Sequence, residues 1–380
     1  MSEITIKRVE NRGDMRRFCN FPLKLYKNNP YYVPQFFADE MKLLSEKLYG
    51  DFSKSYFFIA LQNGKVIGRI AAIINYAYNK KTGQKTIRFS RFDCIDSFPA
   101  AKLLFDACVE IATKNGLVTV MGPLGYTDLD REGMLYFGFD QIATFATTYN
   151  FEYYNRLVEE YGFVKAFDWF ERKLTINKDV DLGFLKIAPL IAKRYNLSEY
   201  IQNDAPIGSM IKEKGQEFFD LINLCYEDLH GTVPITQKVV DDTLKMLKLV
   251  LQPKYTSIIL NENGEMIAAG VAIKSIAKAL NKCGGKLFPT GIFRLLGALG
   301  NKNKDIELML IAVHPDYQSK GVTSMLLAKI YEVFKEEKIE RIETNCNLED
   351  NYAINNQWEN FGGILHKKRR CYKLDLNKTV

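Results

Sequence analysis

Leu310-Ile-Ala-Val-His-Pro-Asp-Tyr-Gln-Ser-Lys-Gly-Val-Thr-Ser-Met-Leu-Leu327 is the stretch on which the fold turns. An apolar run of β-formers ends at Val313-His314-Pro315. A short polar turn, Gln318-Ser319-Lys320-Gly321, then opens directly into an amphipathic helix. The first N–H groups of a helix lack intrahelical partners and sit at the positive end of its dipole, so they attract anions. Gly321 lets backbone approach an anion with no side chain in the way. Lys320 adds a cation. Strand, turn and helix start together predict a seat for the phosphate oxygens of a pyrophosphate-bearing cofactor.

Working outward, the same order of elements occurs twice. The first copy has a strand at 4–9 and helical periodicity over 14–47, broken by Pro22 and Asn29-Pro30. A hairpin follows around Asn63-Gly64. Then come a strand (87–95), a helix (99–115), a strand (117–121), a helix (153–161) and a strand (164–174). The second copy has a strand at 198–202, helices at 215–229 and 236–250, and a hairpin around Asn263-Gly264. A strand (306–313), a helix (321–338), a strand (341–345), a helix (351–361) and a strand (364–375) complete it. The expectation is an α/β chain of two domains, 1–175 and 198–380, joined by a linker at 176–197 that holds a basic helix (Lys186, Lys193, Arg194). Residues 276–305 are an insertion in the second copy. That insertion is basic, apolar and Gly-rich, and three readings stay open: a lid, a surface for membrane or acyl chain, or packing between the halves.

The 380 residues are 47% hydrophobic, 26% charged and 13% aromatic, as in a globular protein. The net charge of +7, from 52 basic and 45 acidic residues, is mild. It suits anionic small ligands, and no aromatic-basic pattern points to nucleic acid. Seven cysteines without a Cys-x-x-Cys pair read as reduced thiols of a cytoplasmic protein. The first residues lack an apolar signal core, and no run is long enough to span a membrane. Three histidines with no Cys/His cluster predict no metal site.

The segment 306–338, with the hairpin before it and the helix at 351–361 after it, resembles the GCN5-related N-acetyltransferase (GNAT) superfamily. The superfamily's loop motif, Gln/Arg-x-x-Gly-x-Gly/Ala, matches Gln318-Ser319-Lys320-Gly321-Val322-Thr323, with Thr323 at the second small position. The likeness covers about 198–376. Over 1–175 it rests on element order and on Tyr154-Asn-Arg-Leu-Val-Glu-Glu-Tyr-Gly162-Phe163. There Cys94-Ile-Asp96-Ser-Phe-Pro99 stands where the phosphate loop belongs; Asp96 would repel an anion and Pro99 removes a donor. The whole resembles bacterial tandem proteins of that superfamily with one working cofactor site.

The resemblance implies acetyl-CoA as co-substrate, its pyrophosphate on the amides of Ser319, Lys320, Gly321, Val322, Thr323 and Ser324. It also implies that Ala312 and Val313 pair with the pantetheine arm as an added strand would. Glu307, the acid in the apolar strand before the loop, is placed as general base; the other reading is a strand-edge carboxylate in solvent. Trp358 stands where the superfamily often has an acid Tyr. Its indole N–H can only donate, and Tyr352 and Cys346 are weak substitutes. Asn347 and Asn351, with Asn345, either hold pantetheine amides or cap the last helix. His230, in the turn after Cys225-Tyr-Glu-Asp-Leu, would border the acceptor pocket, or stand in solvent. The implied activity is acetyl transfer to a primary amine of a small molecule or peptide. Alternatives are a Fem-like aminoacyl or long-chain acyl transferase and a non-catalytic acyl-CoA-binding module. A homodimer is a candidate assembly.

Overall fold

The computed structural model describes residues 2–175, 183–200 and 206–378. The expected linker positions 176–182 and the end of the expected strand at 201–202 lie outside them. The first half runs β1 (Ile4–Arg8), α1 (Arg12–Leu25), α2 (Phe37–Lys42), β2 (Ser53–Gln62), β3 (Lys65–Asn75), α3 (Tyr76–Thr82), β4 (Thr86–Cys94), α4 (Phe98–Lys114), β5 (Thr119–Gly122), β6 (Met134–Phe137), α5 (Tyr153–Tyr161) and β7 (Val164–Leu174). After α6 (Gly183–Arg194) come β8 (Ser198–Glu199), α7 (Ile207–Cys225), α8 (Gln237–Val250), β9 (Thr256–Leu260) and β10 (Met266–Lys274). The insertion supplies α9 (Ala277–Cys283) and α10 (Gly291–Leu299). The chain continues through β11 (Asp305–Val313), α11 (Thr323–Glu336), β12 (Arg341–Glu343), β13 (Asn347–Leu348), α12 (Tyr352–Asn360) and β14 (Ile364–Asp375).

The described strands form one mixed sheet in the order β1-β2-β3-β4-β5-β14-β7-β12-β11-β10-β9-β8. The halves correspond rung by rung. Thr86, Ile87 and Arg88 of β4 run parallel to Thr119, Val120 and Met121; Asp305, Ile306 and Glu307 of β11 run parallel to Arg341, Ile342 and Glu343. The last strands, however, have traded places. β14, from the second half, pairs with β5, while β7, from the first, pairs with β12 and β13. β14 and β7 then pair with each other and close the sheet. Under this exchange lies a sealed ion cluster: Glu171 of β7 takes Lys367 Nζ at 2.8 Å and also Arg369 of β14, and Lys367 reaches Glu343 as well. Burying such charges is tolerated only because each finds a partner.

Local signals explain most elements. In α4, Ser97 caps the first turn by accepting the Ala100 N–H. Its buried face (Ala100, Ala101, Leu104, Phe105, Cys108, Ala112) follows helical spacing. At Asn63-Gly64 both residues have positive φ (51° and 72°), as a tight two-residue hairpin requires. Pro22 departs from expectation, because α1 runs straight through it. The carbonyl that a residue there would ordinarily serve, Phe18 C=O, takes Arg69 Nη1 instead, at 3.3 Å. The insertion packs between the halves, the third of its three readings. Gly285 C=O accepts the Phe37 N–H at 3.0 Å, and Asn281 Nδ2 donates to the carbonyls of Asn29 and Tyr32. Phe288, Phe293 and Leu296 remain exposed on its outer side.

Candidate active site

After the rung Glu307–Glu343, β11 and β12 part company. Opposite Val271 and Ala272 of β10, the partners on β11 are Leu310 and Leu308, so Met309 is an extra residue, a bulge that bends the strand away. Asn345 Nδ2 donates to the Met309 carbonyl at 3.0 Å and holds the fork of the wedge open. The bond from His314 N–H to Ile267 C=O sets the alternation beyond it: His314, Ala312 and Leu310 turn to β10, and Ile311 and Val313 turn to the gap. Of the expected pantetheine partners, Val313 is so placed. Ala312 lines the gap but spends its backbone on Ala269, whereas the backbone of Ile311 faces the gap. Tyr226 Oη already reaches the Ile311 carbonyl at 3.0 Å, and Gln318 Nε2 the Val313 carbonyl at 3.1 Å.

The gap opens at its outer end on the predicted turn. Ser319 and Gly321, ahead of α11, both have positive φ (58° and 79°). The N–H groups of Ser319, Gly321, Val322 and Thr323 find no acceptor among the described residues; those of Lys320 and Ser324 bond to Tyr317 and Gly321. Lys320 lies over the rings of Tyr195 and Tyr317 at 5.3 and 5.1 Å, a resting place on the rim from which a flexible ammonium can swing. The corresponding gap of the first half is filled. Leu124 N–H donates to Phe89 C=O at 2.9 Å, and Arg88 Nη1 holds Gly125 C=O at 3.0 Å. Only three residues separate the end of β4 from the start of α4, against nine between β11 and α11.

From the turn, the gap widens into a cleft of about 1010 Å³ between the halves. Ala312, Val313, Gln318, Ser319, Thr323, Asn347, Asn351, His230 and Trp358 all line it; Glu307, Lys320, Gly321, Val322 and Ser324 do not. Glu307 is buried, with one oxygen on the Phe145 N–H at 2.7 Å and the other on the Ser275 hydroxyl. The strand-edge reading in solvent is therefore excluded. Burial pushes its carboxyl up to about 7, and the two donors only partly offset this. Trp358 is 4% exposed, and its indole N–H is committed to Asn347 Oδ1 at 2.9 Å, so both are occupied in shaping the wall. Asn351 caps α12 through the Ile354 N–H. His230 stands at the mouth, exposed, 3.3 Å from Asp350 and stacked on Phe167.

Two residues of the first half were passed over in the sequence. Asp128 and Glu132 lie in the segment that fills the first gap, and both face the cleft of the second half. Burial raises Asp128 to about 6 and Glu132 to about 8. Their only sequence signal is the charged run Asp128-Leu-Asp-Arg-Glu132 in an aperiodic stretch, which reads as a solvated loop.

Glu307 gives a pH signature. Its folded pKa of about 7 lies above the ordinary 4.5, so its contribution to stability is complete below pH 4.5 and is lost as pH rises through about 7. Denaturant unfolding across that window should show wild type losing stability relative to Glu307→Gln. Parallel pH curves would contradict the burial.

The second half is thus a mixed sheet split at a bulge, with an amide-lined turn at the outer end of the split. Residues 216–362 match the acetyltransferase (GNAT) family. The whole chain superposes on a tandem GNAT protein from the clavulanic acid biosynthesis pathway, solved without acetyl-CoA, with a TM-score of 0.60, 12% identity and 100% of both chains covered. The fold over the whole chain is therefore that of a tandem GNAT protein, with the family match carried by the second half. The chain is also similar to Protein YghO of Escherichia coli (strain K12), at 25% identity over 96% of this chain and 93% of that protein. A bacterial ceramide synthase of Caulobacter vibrioides is 24% identical over 98% of this chain and 97% of its own length. No described helix is long and apolar enough to cross a membrane.

Proposed function

We propose that this protein transfers an acyl group from acyl-CoA to a primary amine, by direct attack of the amine on the thioester. The observation that carries the reading is the continuity of the site: open amides of Ser319, Gly321, Val322 and Thr323, strand amides of Ile311 and Val313, then a cleft large enough for an acceptor. When bound, coenzyme A supplies the activated thioester. The chain's own residues seat its phosphates, pair with its amides and hold water away from the carbonyl carbon. Glu307 acts by fixing Phe145 against the cleft, and His230 guards its mouth.

Acetyl-CoA with a small or peptide amine is the reading from sequence. The cleft favours a larger apolar partner. Its inner wall carries Phe36, Leu48, Phe218, Val239, Met246 and Leu247, far more hydrocarbon than an acetyl group uses. The likeness to a ceramide synthase supports the same direction, a long-chain amine as acceptor. The test is thiol release from acetyl-CoA and palmitoyl-CoA, with sphinganine or ethanolamine as the amine. Amine-dependent release, greatest for sphinganine, is expected. Absence of amine-dependent release with either donor overturns the assignment.

A further inference from the structure

We propose that Glu132, with Asp128 beside it, receives the ammonium group of the acceptor and takes its proton, so that the half without a cofactor loop supplies the acceptor subsite. The proposal rests on the acyltransferase reading above and deepens it.

The argument begins from what Glu132 lacks. Its side chain has no hydrogen bond or ion pair with any described residue, and its Oε1 is sealed from solvent without a partner. A carboxyl oxygen shielded so, on a half-buried side chain that opens to the cleft, is costly unless a ligand completes it. Two neighbouring acids of this wall, Asp130 and Glu40, are already paired, both with Arg91. The position also fits the reaction. Glu132 lies within electrostatic reach of the Cys346 thiol, and the neighbouring Asn345 grips Met309 at the fork of the wedge. That fork is where the thioester must end if the pyrophosphate sits on the turn at 319–323. Gly133, next in sequence, lies close against Trp169, which fixes the backbone at this point.

The groups that face Glu132 are Arg88 of β4, Asp128 and Asp130 of its own segment, and the thiols of Cys371 and Cys346. Arg88 favours the carboxylate; the two aspartates and burial oppose it, and the site is short of positive charge. An alkylammonium supplies that charge. The proton passes from R–NH₃⁺ to the Glu132 carboxylate. The freed amine nitrogen then bonds to the thioester carbon, and the C–S bond breaks with its electron pair on sulfur. The second nitrogen proton goes to the departing thiolate, giving an amide and CoA-SH, while Glu132 returns its proton to solvent.

The probes are n-octylamine and its uncharged counterpart n-octanol, titrated into the CoA-loaded protein and followed by the fluorescence of Trp169 and Trp358. Wild type is expected to prefer the amine. Its affinity for octylamine should rise with pH between 6 and 8, approaching about tenfold per unit as carboxyl proton release is coupled to binding. Glu132→Gln should lose at least about tenfold in octylamine affinity, flatten that pH dependence, and keep its octanol and CoA affinities. Asp128→Asn should show a smaller loss of the same kind and guards against a folding defect in the first variant. CoA binding with unchanged octylamine affinity in both variants overturns this assignment alone. Failure of wild type to bind CoA overturns the acyltransferase reading with it.

Discussion

Thr323→Asp is expected to lower coenzyme A affinity by about two orders of magnitude while leaving the fold intact. Thr323 is the first residue of α11, and it lines the cleft where the turn opens. A carboxylate in the first turn of a helix stabilises it, typically by about 0.3–1 kcal/mol, because it meets the positive end of the dipole. The same carboxylate would stand against an incoming pyrophosphate. Two like unit charges about 5 Å apart, at an effective dielectric near 20, repel by about 3 kcal/mol, roughly a hundredfold in affinity. The effects on fold and on ligand thus have opposite signs, which separates them. Calorimetric titration with CoA and a thermal melt read the two. A folded variant that binds CoA normally would remove the turn from the cofactor site. Gly321→Asp is a less clean probe. With φ at +79° any side chain there is strained, and its Cβ would meet Ile191 Cδ1 at 3.2 Å rather than point at the anion.

Separating the halves should be still more damaging. Expressed as 1–175 and 183–380, each half alone is expected to be insoluble, and co-expression should return a soluble pair that purifies together. The reason is the strand exchange. Alone, the first half has β5 without β14, and β7 without β12, β13 or β14. It would expose two unpaired sheet edges. Glu171 would also lose Lys367 and Arg369. Breaking a buried ion pair by removing one partner costs about 3–5 kcal/mol, a large share of an ordinary domain's stability. A soluble, folded half obtained alone, with native-like melting, would contradict the exchanged arrangement.

These expectations mark the border between what the residues declare and what they leave open. The turn at 318–323 was legible because each of its signals is local: a run of β-formers, a glycine with positive φ, an amphipathic helix. The two copies were legible for the same reason, and so was the missing phosphate loop before α4. The exchange was not. β7 and β14 have similar alternating patterns, and nothing in a strand's own sequence says which of two equivalent gaps it will enter. Pro22 misled because the arginine that satisfies Phe18 C=O, Arg69, comes from a strand 51 positions away in sequence. That the backbone of Ile311, and not of Ala312, faces the gap was hidden because the phase of β11 against β10 is set beyond the bulge at Met309, which the apolar run conceals. Glu132 and Asp128 gain their character only from burial against the other half.

Glu307 shows how a residue can be singled out correctly as unusual while its surroundings redirect its role. An acid in an apolar strand is either costly or useful. Here both oxygens are held, one by a backbone amide of the first half, so the carboxyl ties the halves together behind the cleft wall.

The account stands on coenzyme A entering the second half's split sheet, and a crystal structure with bound CoA tests that most directly. The expected result places the pyrophosphate oxygens on the N–H groups of Ser319, Gly321, Val322 and Thr323, with the pantetheine amides along Ile311 and Val313 and the sulfur near Met309 and Asn345. Coenzyme A found between β4 and β5, or elsewhere on the surface with the β11–β12 split closed, would contradict it.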